Sequence, residues 1–214
     1  MKGDILVINE NHKKASAKLA PLILPLINEK EGKFFISVAG ESGAGKSEIT
    51  ASLAEQLEKN GISCIIFQQD DYFVCPPKTN LKKRMEDINW VGINEVKLDL
   101  IDQELNEIRS GQNIIKKPLV NFDDDVIESE EVDVTNKKVI LIEGTYTTSL
   151  KNLDCRVFID RNYHDTKESR MERNREKQDE FLDKILLIEH EIISKHKSIA
   201  DYIITKNYDV EKGS

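Results

Sequence analysis

The sequence predicts an α/β fold in which a parallel β-sheet has helices packed on both of its faces. Short apolar segments alternate along the chain with segments whose apolar residues recur at helical spacing, which is typical of a parallel sheet. One strand–loop–helix unit contains a glycine-rich loop, and acidic residues end two other apolar segments. Together these observations indicate a ligand site at the carboxyl edge of the sheet.

Residues 1–32 precede the first predicted core strand. A short apolar run from Ile5 to Ile8 comes first, and a helix follows. The apolar residues of this helix share one face: Leu19, Leu22, Ile23, Leu26 and Ile27. Pro21 and Pro25 are expected to disturb it, because proline lacks an amide proton. We interpret residues 1–32 as a helical appendage that packs on a domain of residues 33–214 and offers a surface for a homodimer.

The segment from Gly40 to Ser47 fits the phosphate-loop pattern G-x-x-x-x-G-K-[ST] at every fixed position. A strand from Lys33 to Ala39 precedes it, and a helix that ends before Gly61 follows, which a chance match in a structural turn would lack. Backbone amides and the helix N-terminus would bind phosphate, Lys46 would reach the β- and γ-phosphates, and Ser47 would bind Mg²⁺. The predicted nucleotide-binding residues are Gly40, Ser42, Gly43, Ala44, Gly45, Lys46 and Ser47.

Asp70 follows the predicted strand at residues 62–67 and lies at the carboxyl edge of the sheet. A carboxylate there could accept the proton of an attacking hydroxyl or hold a metal-bound water. A solvated turn residue, as expected for Asp71, is an equally good interpretation from the residues alone.

Glu143 ends the apolar run from Val139 to Ile142. An acid in this position beside a phosphate loop is expected to serve the Mg²⁺ shell. The alternative is an acid that caps a following helix. The candidate metal ligands are Ser47, Asp70 and Glu143.

A charged, mostly helical segment from Asp165 to His196 carries Arg170, Arg173 and Arg175 near its start. Arg170 and Arg173 are one helical turn apart, so both can face a phosphoryl group in transfer and neutralise its charge. The alternative, usual for a charge run, is a solvated helix face that also carries Glu168, Glu172 and Glu176.

The remaining segments complete the alternation of helices and strands. They are a helix through Leu98, Ile101, Leu105 and Ile108 that ends at Gly111, an acidic loop over residues 121–136 with a solvated Asp123–Asp125, and strands at 157–159 and 202–205.

Composition restricts the class of partner. The net charge of −8 disfavours nucleic acid, and no apolar stretch approaches the roughly 18 residues that a membrane span needs. The N-terminus lacks the pattern of a signal peptide. The three cysteines are too widely spaced for a disulfide framework or a metal site, so free thiols in the cytoplasm are expected: Cys64, Cys75 and Cys155.

The order and spacing of these motifs resemble the uridine kinase and phosphoribulokinase family of P-loop kinases over residues 33–206. The matching segments are Gly40–Ser47, Gln69–Phe73, Gly111 with Pro118 and Asn121–Phe122, Leu141–Gly144, Phe158–Asp160, Asp165–Thr166 with Ser169–Arg170, and Ala200–Ile204.

The resemblance implies a P-loop NTPase fold with a five-stranded parallel core and a short arginine-containing lid around residues 165–180. It implies an ATP-dependent kinase acting on a hydroxyl of a small molecule. By position, Asp70 resembles the catalytic base, and Arg170 and Arg173 resemble lid arginines that act with Lys46.

The acceptor segments depart from the uridine kinase pattern. The family's Asn-Phe-Asp-His-Pro reads Asn89–Ile93 here, and Val91 offers no carboxylate to ribose hydroxyls. The family's Pro-x-Tyr-Asp-Phe reads Pro118–Phe122, and Val120 replaces an aromatic residue that would contact the base. We therefore predict an altered acceptor pocket. Its candidate lining residues are Tyr72, Phe73, Trp90 and Phe122, the last of which is equally well explained as a core aromatic.

Two other functions are weighed against this prediction. A GTPase needs an Asn-Lys-x-Asp motif, and Asn136–Val139 ends in valine instead of aspartate, so this class is rejected. A nucleotide-binding regulatory protein of the same fold without kinase activity stays as the alternative. The altered acceptor segments permit it, and the presence of Lys46, Ser47, Asp70 and Glu143 argues against it.

Overall fold

A computed structural model describes residues 6–173 and 179–213 of the chain. The strands are β1 (Phe34–Gly40), β2 (Cys64–Gln68), β3 (Ile114–Asn121), β4 (Val126–Asp133), β5 (Val139–Glu143), β6 (Cys155–Ile159), β7 (Tyr202–Ile204) and β8 (Val210–Lys212). The helices are α1 (Glu10–Glu29), α2 (Lys46–Lys59), α3 (Pro77–Glu86), α4 (Leu98–Arg109), α5 (Lys167–Arg173) and α6 (Glu180–Ile193). Within the described ranges, no helix has both the length and the apolar composition that crossing a bilayer requires.

The main sheet has the strand order β2-β5-β1-β6-β7-β8. The first five strands in this order are mutually parallel, which confirms the predicted five-stranded parallel core. Strand β8 adds an antiparallel edge that the sequence did not predict. It has three residues, of which only Val210 is apolar, so it carries too short a pattern to be recognised.

Strand β1 is buried along its whole length because the sheet is covered on both faces. Phe34 and Ile36 pack in a core cluster with residues of α1 and α2, whereas Phe35 packs in a second cluster with Ile101 and Leu105 of α4. Successive residues of a strand point to opposite faces, so β1 joins the two clusters. The strand ends at the carboxyl edge of the sheet, and the phosphate loop begins there.

Helix α1 is continuous through Pro21 and Pro25, so the predicted disturbance is wrong. Both prolines are exposed. Each removes one helical hydrogen bond, the one to the carbonyl four residues earlier, at Ala17 and Pro21, and these carbonyls lie on the same solvent-facing side. The opposite face is buried in the core shared with α2 and is formed by Ala15, Leu19, Ala20, Ile23 and Ile27. Burial of this face stabilises the helix despite its poor local sequence.

Residues 121–136 are not the predicted loop, because β4 runs from Val126 to Asp133 and pairs antiparallel with β3. The strand is acidic because most of it faces solvent, and its register sets Lys116 opposite Glu131 and Lys117 opposite Glu130. Such opposite-charge pairs across strands are stabilising. An exposed hairpin strand therefore resembles a polar loop in sequence.

Asp71 anchors this hairpin and is not the solvated turn residue that was expected. Its side chain is buried, Oδ2 lies 2.9 Å from Nζ of Lys117, and Oδ1 accepts the amide of Val120 at 3.0 Å. These contacts fasten the 3-10 turn after β2 to β3.

Asp125, at the turn of the hairpin, binds the N-terminus of α3. Its carboxylate accepts the amide of Lys78 at 2.6 Å and the amide and hydroxyl of Thr79 at 3.1 and 2.8 Å. The helix has no side-chain cap of its own at Pro76. The predicted solvated acid is thus a helix cap supplied from another part of the chain.

Candidate active site

The phosphate loop connects β1 to α2 and requires glycine at two positions. Gly43 and Gly45 have φ angles of +77° and +93°, in the left-handed region. A β-carbon on Gly43 would lie 2.8 Å from Cγ of Arg170, and one on Gly45 would lie 2.9 Å from Nε2 of His12. Backbone conformation and close neighbours therefore both exclude larger residues.

Two polar side chains begin helix α2. Nζ of Lys46 donates to the backbone oxygen of Glu41 at 3.1 Å, so the ammonium lies over the loop. Oγ of Ser47 donates to Oε1 of Glu143 at 3.0 Å. The fold thus brings Ser47 and Glu143 into direct contact, as a shared metal-binding role would require.

Glu143 lies at the carboxyl edge of the sheet, between the ends of two strands. It pairs with Val38 of β1 and with Gln68 of β2, and Nε2 of Gln68 donates to its Oε1 at 3.3 Å. Asp70 lies two residues beyond Gln68, in the 3-10 turn. Parallel strands end at one edge, so Asp70, Glu143 and the phosphate loop converge there.

Burial perturbs both carboxyl groups. It raises the pKa of Glu143 to about 7, and the charge of Asp70 adds to the rise. It also raises the pKa of Asp70, against the opposing charge of Lys46. Glu143 is buried and Asp70 is partly buried. Two acids that repel each other in this way are stabilised in the ionised form by a nearby cation.

A close contact joins the residues that directly follow β2 and β5. A β-carbon on Gly144 would lie 2.2 Å from Cβ of Gln69, so only glycine fits. Oε1 of Gln69 accepts the amide of Tyr146 at 2.7 Å. The residue before Asp70 is therefore bonded to the segment that follows Glu143.

Arg170 lies against the phosphate loop. Its side chain is buried, and Nη1 donates to the backbone oxygen of Tyr163 at 2.7 Å and to Oγ1 of Thr166. Oγ1 of Thr166 in turn donates to the backbone oxygen of Ser42 at 3.0 Å. The predicted lid arginine is thus adjacent to the loop. Arg173 ends α5, and Arg175 lies outside the described residues.

Glu41 is a site residue that the sequence analysis missed. It is buried, Oε1 lies 2.6 Å from Nδ1 of His190 on α6, and Oε2 accepts the amide of Tyr163 at 2.6 Å. An acid inside the phosphate-loop pattern was the only signal, and its partners are distant in sequence.

The four candidate acceptor-contacting residues have different environments. Phe122 is exposed, so it is not a core aromatic. Tyr72 is wholly buried in the core and donates to Oε2 of Glu104 at 2.5 Å, so it does not line an open pocket and that assignment is corrected. Phe73 is half-buried and pairs with Val96. Trp90 is half-buried, and its Nε1 donates to Oδ1 of Asn80 at 2.8 Å.

A cluster of charged residues around Arg84 was also missed. Nη2 of Arg84 donates to Oε2 of Glu95 at 2.8 Å and to Oε1 of Glu189 at 3.3 Å, and Nε donates to the other oxygen of Glu95. Glu95 is fully buried. These residues come from α3, the following turn and α6, so no local pattern connects them.

The model of the phosphoribulokinase / uridine kinase family matches residues 35–205, which is most of the chain. The chain belongs to this family. The five parallel strands described above agree with the P-loop fold that the resemblance implies.

The relatives that match this chain differ in length and in the substrate that their names give. The chain is 27% identical over 194 residues to the bifunctional alpha-galactosidase/sucrose kinase AgaSK of Mediterraneibacter gnavus, a match that covers 84% of this chain and 21% of that enzyme. The chain thus spans about a fifth of that relative. It is 25% identical over 191 residues to the uridine kinase of Ligilactobacillus salivarius, covering 84% of this chain and 88% of the relative.

A solved structure has the same fold. The possible uridine kinase from Bacillus stearothermophilus superposes with a TM-score of 0.64 at 18% identity, over 89% of this chain and 97% of that one. At this identity the likeness concerns the fold alone.

Proposed function

We propose that this protein is an ATP-dependent kinase that transfers the γ-phosphate to a hydroxyl of a small molecule, as a uridine kinase-like enzyme with an altered acceptor pocket. The observation that carries the proposal is the convergence of Ser47, Asp70 and Glu143 beside the phosphate loop. Membership of the phosphoribulokinase / uridine kinase family supports it.

ATP would bind with its phosphates on the backbone amides of the loop and on Lys46. The residues that would hold Mg²⁺ are Ser47 and Glu143, with Asp70 beside them, and their oxygen atoms suit this ion. Among the described residues, no group of three or more acidic, histidine or cysteine side chains could hold a metal by itself. This donor set fits a Mg²⁺ ion whose remaining ligands would be phosphate oxygens and water. The ion would neutralise part of the phosphate charge.

Asp70 is proposed as the general base. It accepts the proton of the acceptor hydroxyl as that oxygen bonds to the γ-phosphorus, and the bond from this phosphorus to the bridging oxygen of ADP breaks. Lys46 and the lid arginines, Arg170 and Arg173, stabilise the charge of the phosphoryl group. The contribution of the protein is mainly positioning and electrostatic stabilisation.

The acceptor pocket is proposed to differ from that of a uridine kinase. Val91 is 6% exposed and Val120 is fully buried, so neither offers a polar contact to a nucleoside. Phe73 and Trp90 stay candidates for acceptor contacts because they are only half-buried.

A phosphotransfer assay with γ-labelled ATP tests the proposal. Label should pass to at least one hydroxyl compound among nucleosides, sugars and vitamins, and Asp70→Asn should abolish most of it. ATP binding without transfer to any of them would favour the regulatory protein instead.

The cytoplasmic location and the homodimer stay predictions. The three cysteines are free, which suits a reducing compartment. Leu22 and Leu26 of α1 are exposed on the surface proposed for a dimer.

A further inference from the structure

Helix α1 brings one of its side chains to the phosphate loop. The helix begins at Glu10, before residue 35, where the match to the family model starts. His12 of this helix is 7% exposed, and its ring lies against Gly45, because a β-carbon on Gly45 would be 2.9 Å from Nε2 and 3.3 Å from Cδ2. The phosphate chemistry proposed above gives His12 no part.

Gly45 sets the direction of the first residues of α2. It is the N-cap of this helix, its φ angle of +93° is left-handed, and its backbone oxygen accepts the amide of Ile49 at 2.9 Å. Lys46 and Ser47 come next, so the conformation of Gly45 decides where both side chains leave the loop. Glycine adopts positive and negative φ angles about equally well, so its neighbours must hold it in one of them. The ring of His12 occupies the space beside Gly45 that a side chain would take.

The ring of His12 is itself held from two sides. Nδ1 accepts the backbone amide of Asn9 at 3.3 Å, and Oδ1 of Asn9 accepts the amide of His12 at 3.1 Å, which is a reciprocal helix cap. On another side the ring meets Tyr208 edge to face, with 5.7 Å between the ring centres. A rotation of the ring away from Gly45 would therefore break both the bond to Asn9 and the contact with Tyr208.

Tyr208 connects this contact to the ends of two core strands. It lies in the turn between β7 and β8, is 8% exposed and has a φ angle of +60°. Arg161, which follows β6, donates from Nη1 to the hydroxyl of Tyr208, and its Cζ lies 4.9 Å from the ring centre. Lys14 of α1 donates to the backbone oxygen of Asn207 in the same turn at 3.2 Å. Helix α1 thus joins this turn to the phosphate loop.

We propose that His12 is a positioning residue of the nucleotide site, which holds Gly45 in the conformation that binds phosphate. Helix α1 is then part of this site and not only an appendage on the domain. The inference rests on the proposed binding of ATP and adds a residue to it. Its physical basis is preorganisation, because a loop that is already ordered loses less conformational entropy when the nucleotide binds. A residue that only packed α1 on the core would affect stability and leave nucleotide affinity unchanged.

Calorimetric titration with MgATP tests the inference on His12→Ala and Asn9→Ala. Asn9→Ala is the matched control, because it removes the side-chain half of the cap and keeps the bond to Nδ1, which comes from the backbone. The melting temperature should fall in both variants. The Kd for MgATP should rise only in His12→Ala, by about fivefold to tenfold, as expected when the backbone of one residue is no longer held. An unchanged Kd in His12→Ala, or an equal rise in Asn9→Ala, would overturn the inference. A parent protein that binds no MgATP would overturn the proposed function with it.

His12→Gln separates the cap from the ring. Glutamine at this third helical position restores the reciprocal cap, so the melting temperature should recover, whereas the Kd for MgATP should stay raised because the ring is gone. Hydrogen exchange without nucleotide gives a readout that does not depend on the proposed function. The amides of residues 43–47 should exchange faster in His12→Gln than in the parent and in Asn9→Ala. A parental Kd or unchanged exchange in His12→Gln contradicts the restraint of Gly45 by the ring.

Discussion

Oε1 of Glu41 lies 2.6 Å from Nδ1 of His190, and this contact joins the phosphate loop to helix α6. The other oxygen of Glu41 accepts the amide of Tyr163, whose backbone oxygen holds Arg170. One acid of the loop therefore positions the segments on both sides of the proposed lid.

Glu41→Gln should lower kcat while leaving the protein folded. The amide weakens the charge-assisted bonds that position Arg170, and such bonds are worth roughly 1.5–3 kcal/mol, so we expect a loss of about tenfold or more. The dissociation constant for ATP should change by only a few-fold. Steady-state kinetics with Glu10→Gln as control, which breaks an exposed pair with Lys13, measures the effect. Equal kcat in both variants would remove Glu41 from the positioning of the lid.

Lys46→Ala should reduce ATP turnover by at least about tenfold, because the charge-assisted contacts of the ammonium with phosphate are lost. Lys18→Ala is a suitable control, since Lys18 makes an exposed ion pair with Asp209 away from the loop. Unchanged ATP affinity and turnover in Lys46→Ala would refute the phosphate-loop assignment.

Asp70→Asn and Asp71→Asn should separate chemistry from stability. Asp70→Asn keeps the shape of the side chain and removes the proton acceptor, so transfer should fall by roughly 10²–10⁴ while ATP binding stays within a few-fold. Asp71→Asn breaks the buried pair with Lys117 and should cost about 3 kcal/mol of unfolding free energy.

Single-turnover transfer, nucleotide titration and urea unfolding on both proteins measure these effects. A fall in MgATP affinity with Asp70→Asn would assign Asp70 mainly to the metal. An unaltered transfer rate would exclude Asp70 from the mechanism.

Glu104 should make the protein less stable as pH rises. Burial raises its pKa from 4.5 to about 7, against the hydrogen bond from Tyr72. The folded state then binds more protons than the unfolded state between these values, so the free energy of unfolding falls from pH 4.5 to 7 and levels off above. The shift corresponds to about 3 kcal/mol at most.

Urea unfolding at pH 5 and pH 8 measures this dependence. The raised pKa of Glu143 acts with the same sign. The fall in unfolding free energy from pH 5 to pH 8 should therefore be smaller in Glu104→Gln than in the parent, but not zero. The exposed Glu55→Gln serves as control. A loss as large in Glu104→Gln as in the parent would contradict the prediction.

The sequence predicted those parts of the molecule whose signals are local. The phosphate loop and the parallel core follow from short patterns in which neighbours along the chain determine the structure. The position of Asp70 and Glu143 at one edge could be predicted because a parallel sheet places the ends of its strands together, and their roles stay predictions.

The features that sequence reasoning missed depend on distant partners. Glu41 meets His190, and Arg84 meets Glu189, across more than a hundred residues of chain. The acidic strand β4 resembled a loop because its partner supplies the hydrogen bonds. The prolines of α1 resembled helix breaks because the packing that stabilises the helix is tertiary.

The cap that Asp125 places on α3 makes the proposed acceptor side depend on the β3–β4 hairpin for its stability. Within α3, only Asn80 is buried, and a ten-residue helix of this kind is not stable by itself in water. When the hairpin separates from α3, the helix loses its cap, and Arg84 and Asn80 lose their fixed positions, while the phosphate loop keeps its own core. In hydrogen exchange we expect α3 to open at a lower free energy than α2, so that the proposed acceptor site would be lost before the proposed nucleotide site.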